Sequence, residues 1–299
     1  FVAKLAVYAR ESMYLRSVPL VLAVELAKVH QGDDLVSRMV GRVVQRADEI
    51  TEMLAFYQQA NARTQTKKLG KLSKQLQKGL ADAMNKFDEY QFSKYNRDAA
   101  VKLRDALFLV HPRPKDVAQQ SIFDKIAADT LSTAYTWETE LSRAGQESHA
   151  DEDAKNVAFA NQWEALIDSG KLGYMAMLRN LRNMLQKGVS SAHMTKVAGM
   201  LSDPKQVAKS KQFPFRFLSA YRELRGESNF KASKLMQALE DAITASVVNM
   251  RGFDENTRVL IASDVSGSMC APVSAKSTVQ MYDIGLVLIS CLVSQCNYF

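Results

Sequence analysis

Residues 67–87 read KKLGKLSKQLQKGLADAMNKF, and their spacing predicts an amphipathic helix. Four lysines recur at i, i+4, i+7 and i+11: Lys67, Lys71, Lys74 and Lys78. Apolar residues occupy the opposite face of the same helix: Leu69, Leu72, Leu76, Leu80, Ala83 and Phe87. Because one face is apolar and the other cationic, we expect this helix to pack on neighbouring helices and to present a basic surface to solvent.

The helical period extends from residue 1 to about residue 250, and no convincing strand interrupts it. Short breaks with Gly, Pro or polar residues separate helices of about ten to twenty residues. The predicted breaks lie near residues 31–34, 64–66, 91–95, 111–115, 144–153, 187–191, 202–204 and 226–229. Antiparallel helix pairs joined by short loops predict a mainly α fold, a HEAT-like α-solenoid, although no clean repeat consensus is present.

A different pattern begins at residue 253. Residues 259–262 read VLIA, which is typical of a buried parallel strand. A loop, a helix over about 278–294 and a second strand-like run follow, as at the start of an α/β domain. We therefore predict a helical-repeat module over residues 1–252 and the first βαβ portion of an α/β domain over residues 253–299. Both ends of the chain look cut, so we expect a fragment that lacks the start of the module and the rest of the α/β domain.

Positive charge is concentrated between residues 61 and 115, where thirteen basic residues outnumber five acidic ones. This balance of +8 exceeds the net charge of +7 for the whole chain. A concentrated basic surface predicts a polyanionic partner, nucleic acid first and an anionic membrane second. The alternative is a solvated helix face, but the helix lysines have no acidic residue at i+3 or i+4 until Lys78 meets Asp82.

Further candidate RNA contacts lie on the next predicted helix, which we expect to start near Lys94 and to end at His111. The candidates are Lys94, Tyr95, Arg97, Lys102, Arg104, His111 and Arg113. Cations contact phosphates, and an aromatic or imidazole ring can stack on or hydrogen-bond a base. For His111 taken alone, an ordinary histidine at a helix end is the simpler interpretation.

Three oxygen-bearing side chains, Asp264, Ser266 and Ser268, directly follow the predicted strand, where open α/β sheets bind their ligands. Hard oxygen donors predict a site for a divalent cation, Mg²⁺ first. A phosphoryl-accepting aspartate loop usually carries a second carboxylate two residues on, where this chain has Ser266. No nucleophile elbow, zinc-protease motif or Walker loop is present, and the four histidines are scattered, so we predict that the chain is not an enzyme.

The compartment is indicated by cysteines and hydropathy. Cys270, Cys291 and Cys296 crowd into the last thirty residues and form neither a disulfide framework nor a zinc pattern, which fits a reducing cytoplasm. The longest nearly uncharged apolar stretch, about residues 284–293, is too short to span a membrane. We expect a cytoplasmic protein without a membrane partner.

Four motifs, in this order and spacing, resemble the TROVE family, that of the sixty-kilodalton Ro autoantigen and its bacterial relatives. Lys94 and Tyr95 are followed by His111, seventeen residues after the lysine. Residues 178–181 read LRNL, residues 213–216 read FPFR, and residues 264–269 read DVSGSM after the predicted strand. The resemblance covers essentially the whole chain, and only the last motif is close to specific by itself.

This resemblance implies a monomeric ring of HEAT-like repeats, closed by a von Willebrand factor A domain with a metal-ion-dependent adhesion site. It implies that Y-like RNA binds outside the ring and that single-stranded 3′ ends of misfolded RNA enter a basic central hole. Lys94 and His111 match family residues that contact Y RNA, whereas a family cation four residues after the lysine is replaced by Asp98. Asp264, Ser266 and Ser268 match the first segment of the family's metal site, whose later Thr and Asp ligands are not in this chain.

The leading hypothesis is therefore a noncoding-RNA-binding scaffold in RNA quality control or maturation, working with an exoribonuclease such as polynucleotide phosphorylase. An alternative is a metal-dependent protein-interaction or adhesion scaffold that uses the D-x-S-x-S loop. A third class is a hydrolase that uses Asp264, which has the least support because no second catalytic carboxylate accompanies it.

Overall fold

A computed structural model describes residues 1–60, 72–96, 99–227, 229–250, 258–275 and 277–295 of the chain. Within these ranges the protein is mainly helical, as the sequence predicted. The helices divide into two compact units, Phe1–Tyr135 and Thr136–Phe299, which we call unit 1 and unit 2. The domain boundary predicted at residue 252 stays a prediction.

Unit 1 contains eight α-helices in its described residues. They are α1 (Val2–Glu11), α2 (Ser17–Val29), α3 (Leu35–Val43), α4 (Asp48–Ala60), α5 (Lys74–Met84), α6 (Glu89–Tyr95), α7 (Leu103–Val110) and α8 (Val117–Ala128). Their apolar faces share one core, in which Val36 and Val40 of α3 and Leu76 and Leu80 of α5 are fully buried. The periodicity that predicted an apolar face on the basic helix is confirmed by these leucines.

Side-chain and backbone signals explain where the helices of unit 1 begin and end. The Asp88 carboxylate accepts the Gln91 backbone N–H at 2.7 Å, and the Gln91 side chain accepts the Asp88 N–H at 3.0 Å. This capping box starts α6. Asp116 starts α8 by accepting the Gln119 N–H at 2.7 Å. The residue after α7, His111, adopts the left-handed conformation with φ 50°, which ends that helix.

Unit 2 contains nine α-helices in its described residues. They are α9 (Trp137–Gln146), α10 (Glu152–Asp168), α11 (Tyr174–Arg179), α12 (Leu181–Gln186), α13 (Ser191–Ser202), α14 (Pro204–Ser210), α15 (Pro214–Leu224), α16 (Phe230–Ser246) and α17 (Met281–Gln295). Short 3-10 helices occur at Val247–Asn249 and Gly267–Cys270. Among the described helices of both units, none combines the length and hydropathy that crossing a bilayer requires.

An ion pair between Arg222 and Asp283 joins α15 to α17. The guanidinium donates two hydrogen bonds to the carboxylate, both at 2.6 Å, and a third to the Thr278 carbonyl at 2.7 Å. Asp283 is buried, and the Arg222 guanidinium holds the pKa of its carboxyl below the usual value of 3.8. Because a bidentate pair fixes both distance and orientation, it holds α17 against α15.

Two predicted helix boundaries are corrected by the structure. Residues 91–95 were predicted to be a break but belong to α6, because the capping box at Asp88 and the burial of Phe92 stabilise a short helix. The basic helix was predicted to run from Lys67, but residues 72 and 73 are not helical and α5 begins at Lys74. Ser73 occupies the N-cap position with a non-helical ψ of 127°, and serine is favoured there over the helix interior.

The strand predicted at residues 259–262 is also corrected, because the described residues contain no strand. These four residues have no regular structure, and Leu260 is 94% exposed. A parallel strand needs a neighbouring strand for its backbone hydrogen bonds, and within the described ranges the only β pairing is an isolated bridge between Pro272 and Gln280. The α/β opening is therefore not seen, although the helix predicted after it is present as α17.

Candidate nucleic-acid interface

The basic face of α5 presents Lys74 and Lys78 to solvent, while Leu76 and Leu80 point into the core. Within the described part of the chain, neither lysine forms an ion pair. Between them Gln77 donates a hydrogen bond from Nε2 to the Leu109 carbonyl of α7 at 3.1 Å. The two lysines thus lie within one helical turn of the contact between α5 and the end of α7. Lys67 and Lys71 lie outside the described residues.

The segment that follows α7 is held along the C-terminal end of α5. Asn85 donates from Nδ2 to the Arg113 carbonyl at 2.8 Å and accepts the Lys115 backbone N–H at 2.9 Å. The Lys115 ammonium donates to the Asn85 carbonyl at 2.9 Å. Side chains of His111, Arg113 and Lys115 are all exposed. These hydrogen bonds bring the cations after α7 beside those of α5, although the two groups are about thirty residues apart in sequence.

The exposed side of α7 carries a cation and an aromatic ring, and an imidazole follows directly after the helix. Arg104, Phe108 and His111 follow at i, i+4 and i+7, and all three are exposed. The Arg104 guanidinium lies 5.9 Å from the centre of the Phe108 ring. Phe108 was not among the predicted contacts, but helical spacing could have found it, since the inward positions of α7 are Leu103, Ala106, Leu107 and Val110. We call the exposed residues Lys74, Lys78, Arg104, Phe108, His111 and Arg113 the α5–α7 surface.

Lys94 and Tyr95 are in the last turn of α6, and not at a helix start as predicted. The Lys94 ammonium lies 5.6 Å from the Tyr95 ring centre, and the Arg46 guanidinium covers the same ring at 4.5 Å. Tyr95 is half-buried and lines a cleft of about 260 Å³ with Asp48 and Glu52 of α4. Its ring is therefore less available to a base than the predicted stacking role requires. Arg97 lies outside the described residues.

Lys94 and His111 lie at opposite ends of α7, so the predicted single helix bounded by these two residues is corrected. Tyr95 shares its cleft with Leu103, the first residue of α7, whereas His111 follows the last residue. A helix of eight residues is about 12 Å long. Lys102 and Arg104, both exposed, occupy the first end. The structure brings the family-matched lysine and histidine onto one unit but not into contact.

Two acidic residues of α6 and α7, Glu89 and Asp105, accept hydrogen bonds from groups other than Lys94 and Arg104. The Lys125 ammonium donates to Glu89 of α6 at 2.7 Å, and Ser132 adds hydrogen bonds from its N–H and hydroxyl. Lys125 is the main cause that holds the pKa of Glu89 below its usual value of 4.5. Asp105 accepts the Lys102 backbone N–H at 3.3 Å at the start of α7. The positive potential around Lys94 and Arg104 is thus only partly offset.

The D-x-S-x-S loop groups three oxygen donors in an exposed turn. The Asp264 carboxylate accepts the Ser266 backbone N–H at 2.8 Å, which lowers the pKa of Asp264 below 3.8. The Ser266 and Ser268 hydroxyl oxygens are 3.1 Å apart. Within the described ranges no three His, Cys, Asp or Glu side chains cluster as metal ligands. Chemically, the donor set fits a hard divalent cation, but only as part of its coordination shell.

Two of the motifs singled out in the sequence meet in unit 2. Leu178 and Arg179 of the LRNL motif and Arg216 of the FPFR motif line the same cleft of about 370 Å³. Arg182 also lines this cleft and is paired with Glu223. Sequence reasoning used these motifs only as signs of a family, and their position in one cleft was not predicted.

Comparison with known proteins gives relatives in mammals and a structural neighbour in bacteria. Telomerase protein component 1 of Rattus norvegicus is 27% identical over 295 residues, covering 75% of this chain and 11% of the relative. The protein of the same name in Mus musculus is 48% identical over 86 residues, 29% of this chain and 3% of the relative. The chain thus spans only about a tenth of the length of the rat relative and less of the mouse one.

The crystal structure of the Deinococcus radiodurans Ro (RSR) protein superposes with a TM-score of 0.59 at 21% identity. The match covers 90% of this chain and 60% of the Ro protein, and it shows a shared fold. The TROVE domain model matches residues 1–162 and, separately, residues 130–251. Because these matches together account for most of its 299 residues, the chain belongs to the TROVE domain family.

Proposed function

We propose that this chain is an RNA-binding scaffold whose RNA contact is the α5–α7 surface. The observation that carries the proposal is the convergence of exposed cations from separate segments: Lys74 and Lys78, Arg104, and the residues after α7. Membership of the TROVE domain family supports RNA binding in general. An anionic membrane is the less favoured partner, because the surface offers an aromatic ring and an imidazole that suit bases as well as cations that suit phosphates.

In this proposal the cations position the RNA through its phosphates, while Phe108 and His111 contact its bases. Lys74, Lys78, Arg104 and Arg113 would contact phosphates and release condensed counterions, which gives affinity that depends steeply on salt. His111 can donate to or accept from a base edge or a ribose hydroxyl. Because Tyr95, next to Lys94, shares a cleft with the first residue of α7 and His111 follows the last residue of this eight-residue helix, Lys94 and His111 would contact different nucleotides of one bound RNA.

A salt series tests the general proposal. We expect a short stem-loop RNA to bind with a log affinity that falls linearly with log salt. The double variant Lys74→Ala/Lys78→Ala should lower that slope by about 0.7–0.9 for each phosphate that is no longer neutralised. Lys4→Ala, an exposed lysine of α1, is the matched control and should leave the slope unchanged. Absence of binding even at low salt, or equal slopes for all variants, would contradict the proposal.

The finer proposal concerns which RNA is bound. We propose a Y-like noncoding RNA together with single-stranded 3′ ends of misfolded RNA, in cytoplasmic RNA quality control with an exoribonuclease such as polynucleotide phosphorylase. Lys94→Ala and His111→Ala should then weaken binding of a Y-like stem-loop more than binding of a random single strand. Equal losses for the two RNAs would refute Y-like recognition and leave general RNA binding intact.

The names of the mammalian relatives describe a component of telomerase, so a telomerase-type ribonucleoprotein is a second possible assembly. Crosslinking the full-length protein to RNA in cells and sequencing the attached RNA would decide between the two assemblies. A Y-like RNA at the top of the crosslinked set supports the first, and a telomerase RNA supports the second. Purification of the endogenous complex would show whether a nuclease accompanies it.

A metal-dependent interaction scaffold is a second candidate function, favoured by the grouping of the Asp264, Ser266 and Ser268 oxygens. These side chains would hold a divalent cation, Mg²⁺ first, with water or a partner carboxylate completing the shell. If this is the main role, a chelator and Asp264→Ala should each abolish binding of a protein partner. RNA binding by the α5–α7 surface should survive both treatments.

A further inference from the structure

We propose that Phe108 is a stacking platform for one unpaired base, so that the α5–α7 surface selects RNA in which an unpaired nucleotide adjoins a stem. This inference rests on the proposed RNA-binding function and names the feature of the RNA that the site takes. It concerns a residue that neither the basic pattern nor the family motifs single out.

Phe108 is exposed on the short helix α7. Phe108 is 53% exposed, while Ala106, Leu107 and Val110 of the same helix are buried. An exposed apolar ring is common on protein surfaces and by itself indicates nothing. Here the Arg104 guanidinium lies over the ring, and the exposed His111 imidazole follows at the end of the same helix. An apolar patch for another protein would usually have fewer charges at its centre.

A guanidinium and an imidazole lie on either side of the Phe108 ring along the chain. The Arg104 guanidinium lies 5.9 Å from the ring centre, within the range of a cation–π contact. With a rise of about 1.5 Å per residue, Arg104 and His111 stand about 6 Å and 4.5 Å along α7 from Phe108. A base stacked on the ring would therefore have a guanidinium near one flanking phosphate and an imidazole near the other side. The lysines of α5 lie next to the same end of α7 through the Gln77 hydrogen bond.

An exposed ring such as Phe108 can stack only on a base that has a free face. In a duplex both faces of a base are covered by its neighbours, and the deep groove of A-form RNA excludes side chains. Only an unpaired base offers a free face to Phe108. Stacking is tolerant of base identity because every base has a π-face. The platform would thus recognise a bulge or loop and leave the sequence of the stem unread.

Tyr95 is a weaker candidate for the same role, although sequence reasoning chose it. The Arg46 guanidinium already lies over its ring at 4.5 Å, and the side chain is half-buried. A base would have to displace Arg46 from its ion pair with Asp48 before it reached that ring. The Arg104 guanidinium lies farther from the Phe108 ring, at 5.9 Å, and within the described residues it forms no ion pair that a base would have to break.

Two stem-loop RNAs with the same stem provide the test, one with a single bulged 2-aminopurine and one with a continuous stem. Phe108→Ala should weaken binding of the bulged RNA by about 5- to 100-fold, the range for removal of one stacked base. Binding of the continuous stem and the salt slope of both RNAs should not change, because every cation that neutralises a phosphate is retained. Phe108→Trp should retain tight binding and quench the 2-aminopurine fluorescence.

Phe230→Ala is the matched control, since Phe230 is an exposed phenylalanine at the start of α16 in unit 2. Circular dichroism of each variant establishes that it is folded. Equal weakening of both RNAs by Phe108→Ala, or no weakening of either, would overturn the inference and leave RNA binding standing. Loss of a protein partner with unchanged RNA binding would assign Phe108 to a protein interface. If the unmodified protein bound neither RNA, the proposed function and this inference would fail together.

Discussion

Replacing Gly79 by alanine should destabilise unit 1, because this glycine lets α5 approach α3. A Cβ atom at residue 79 would lie 2.6 Å from the Val40 Cβ and 2.9 Å from the Ser37 carbonyl oxygen. One of these neighbours is a backbone atom and the other is the branch point of a valine. Neither can rotate away, so the helices would have to separate.

The magnitude follows from two opposing effects. Alanine is favoured over glycine within a helix by about 1 kcal/mol. Inserting a methyl group into a packed core costs about 1–3 kcal/mol, and distances below 3.0 Å to fixed atoms place this site at the upper end. The net change in the free energy of unfolding of unit 1 is then a decrease of about 2 kcal/mol. Because α5 carries Lys74 and Lys78, RNA affinity should fall as well.

Gly41→Ala is the matched control, because Gly41 is also helical in unit 1 and nothing lies within 4 Å of its added Cβ. It should stabilise the protein by up to about 1 kcal/mol. Urea unfolding of the full chain followed by circular dichroism measures both changes, and hydrogen exchange of α5 amides assigns the Gly79 effect to unit 1. If Gly79→Ala and Gly41→Ala changed the free energy of unfolding in the same direction, close packing at Gly79 would not explain the effect.

Further predictions concern the C-terminal helix and the oxygen-rich loop. Arg222→Ala should release α17 and raise the labelling rate of buried Cys291 roughly tenfold or more, with exposed Cys270 unchanged as the internal reference in peptide mass spectrometry. The depressed pKa of Asp283 means that its stabilisation is complete above pH 3.8 and is lost as the pH falls toward the lowered value. Hydrogen exchange in α17, corrected for intrinsic rates, should therefore rise below about pH 4, and Asp283→Asn should remove that dependence. Asp264→Asn should abolish any Mg²⁺ binding measured by calorimetry, and unchanged binding would remove the loop as the metal site.

Local periodicity predicted the helical part of the fold because each helix needs only its own apolar face. Leu76 and Leu80 were assigned to an inward face and are fully buried. The strand predicted at residues 259–262 is not present. A strand takes its backbone hydrogen bonds from a neighbouring strand, and the composition of one segment does not show whether such a neighbour exists. The short helix α6 was missed because a capping box, and not apolar periodicity, starts it.

The candidate site shows the same division between local and non-local information. The number of basic residues in the sequence indicated the basic segment. It did not indicate that Gln77 and Asn85 donate hydrogen bonds that join α5 to α7 and to the segment after α7. Lys94 and His111 were predicted to lie on one helix, because the sequence of residues 96–102 contains no proline or glycine that would indicate the end of a helix. Phe108 lies four residues after Arg104, so helical periodicity predicts that both lie on the same face of a helix. Phe108 was missed because only basic residues, Tyr95 and His111 were considered as RNA contacts.

The α5–α7 surface combines two kinds of RNA contact that respond differently to salt. Lys74 and Lys78 act through phosphates, so their contribution weakens steeply as the salt concentration rises. Phe108 would act through a stacked base, and because an uncharged ring neutralises no phosphate, its contribution should depend little on salt. At high salt, discrimination between a bulged and a continuous stem should therefore persist while overall affinity falls. If discrimination disappeared in parallel with affinity, cations alone would account for RNA recognition by this unit, and the aromatic ring would have no part in it.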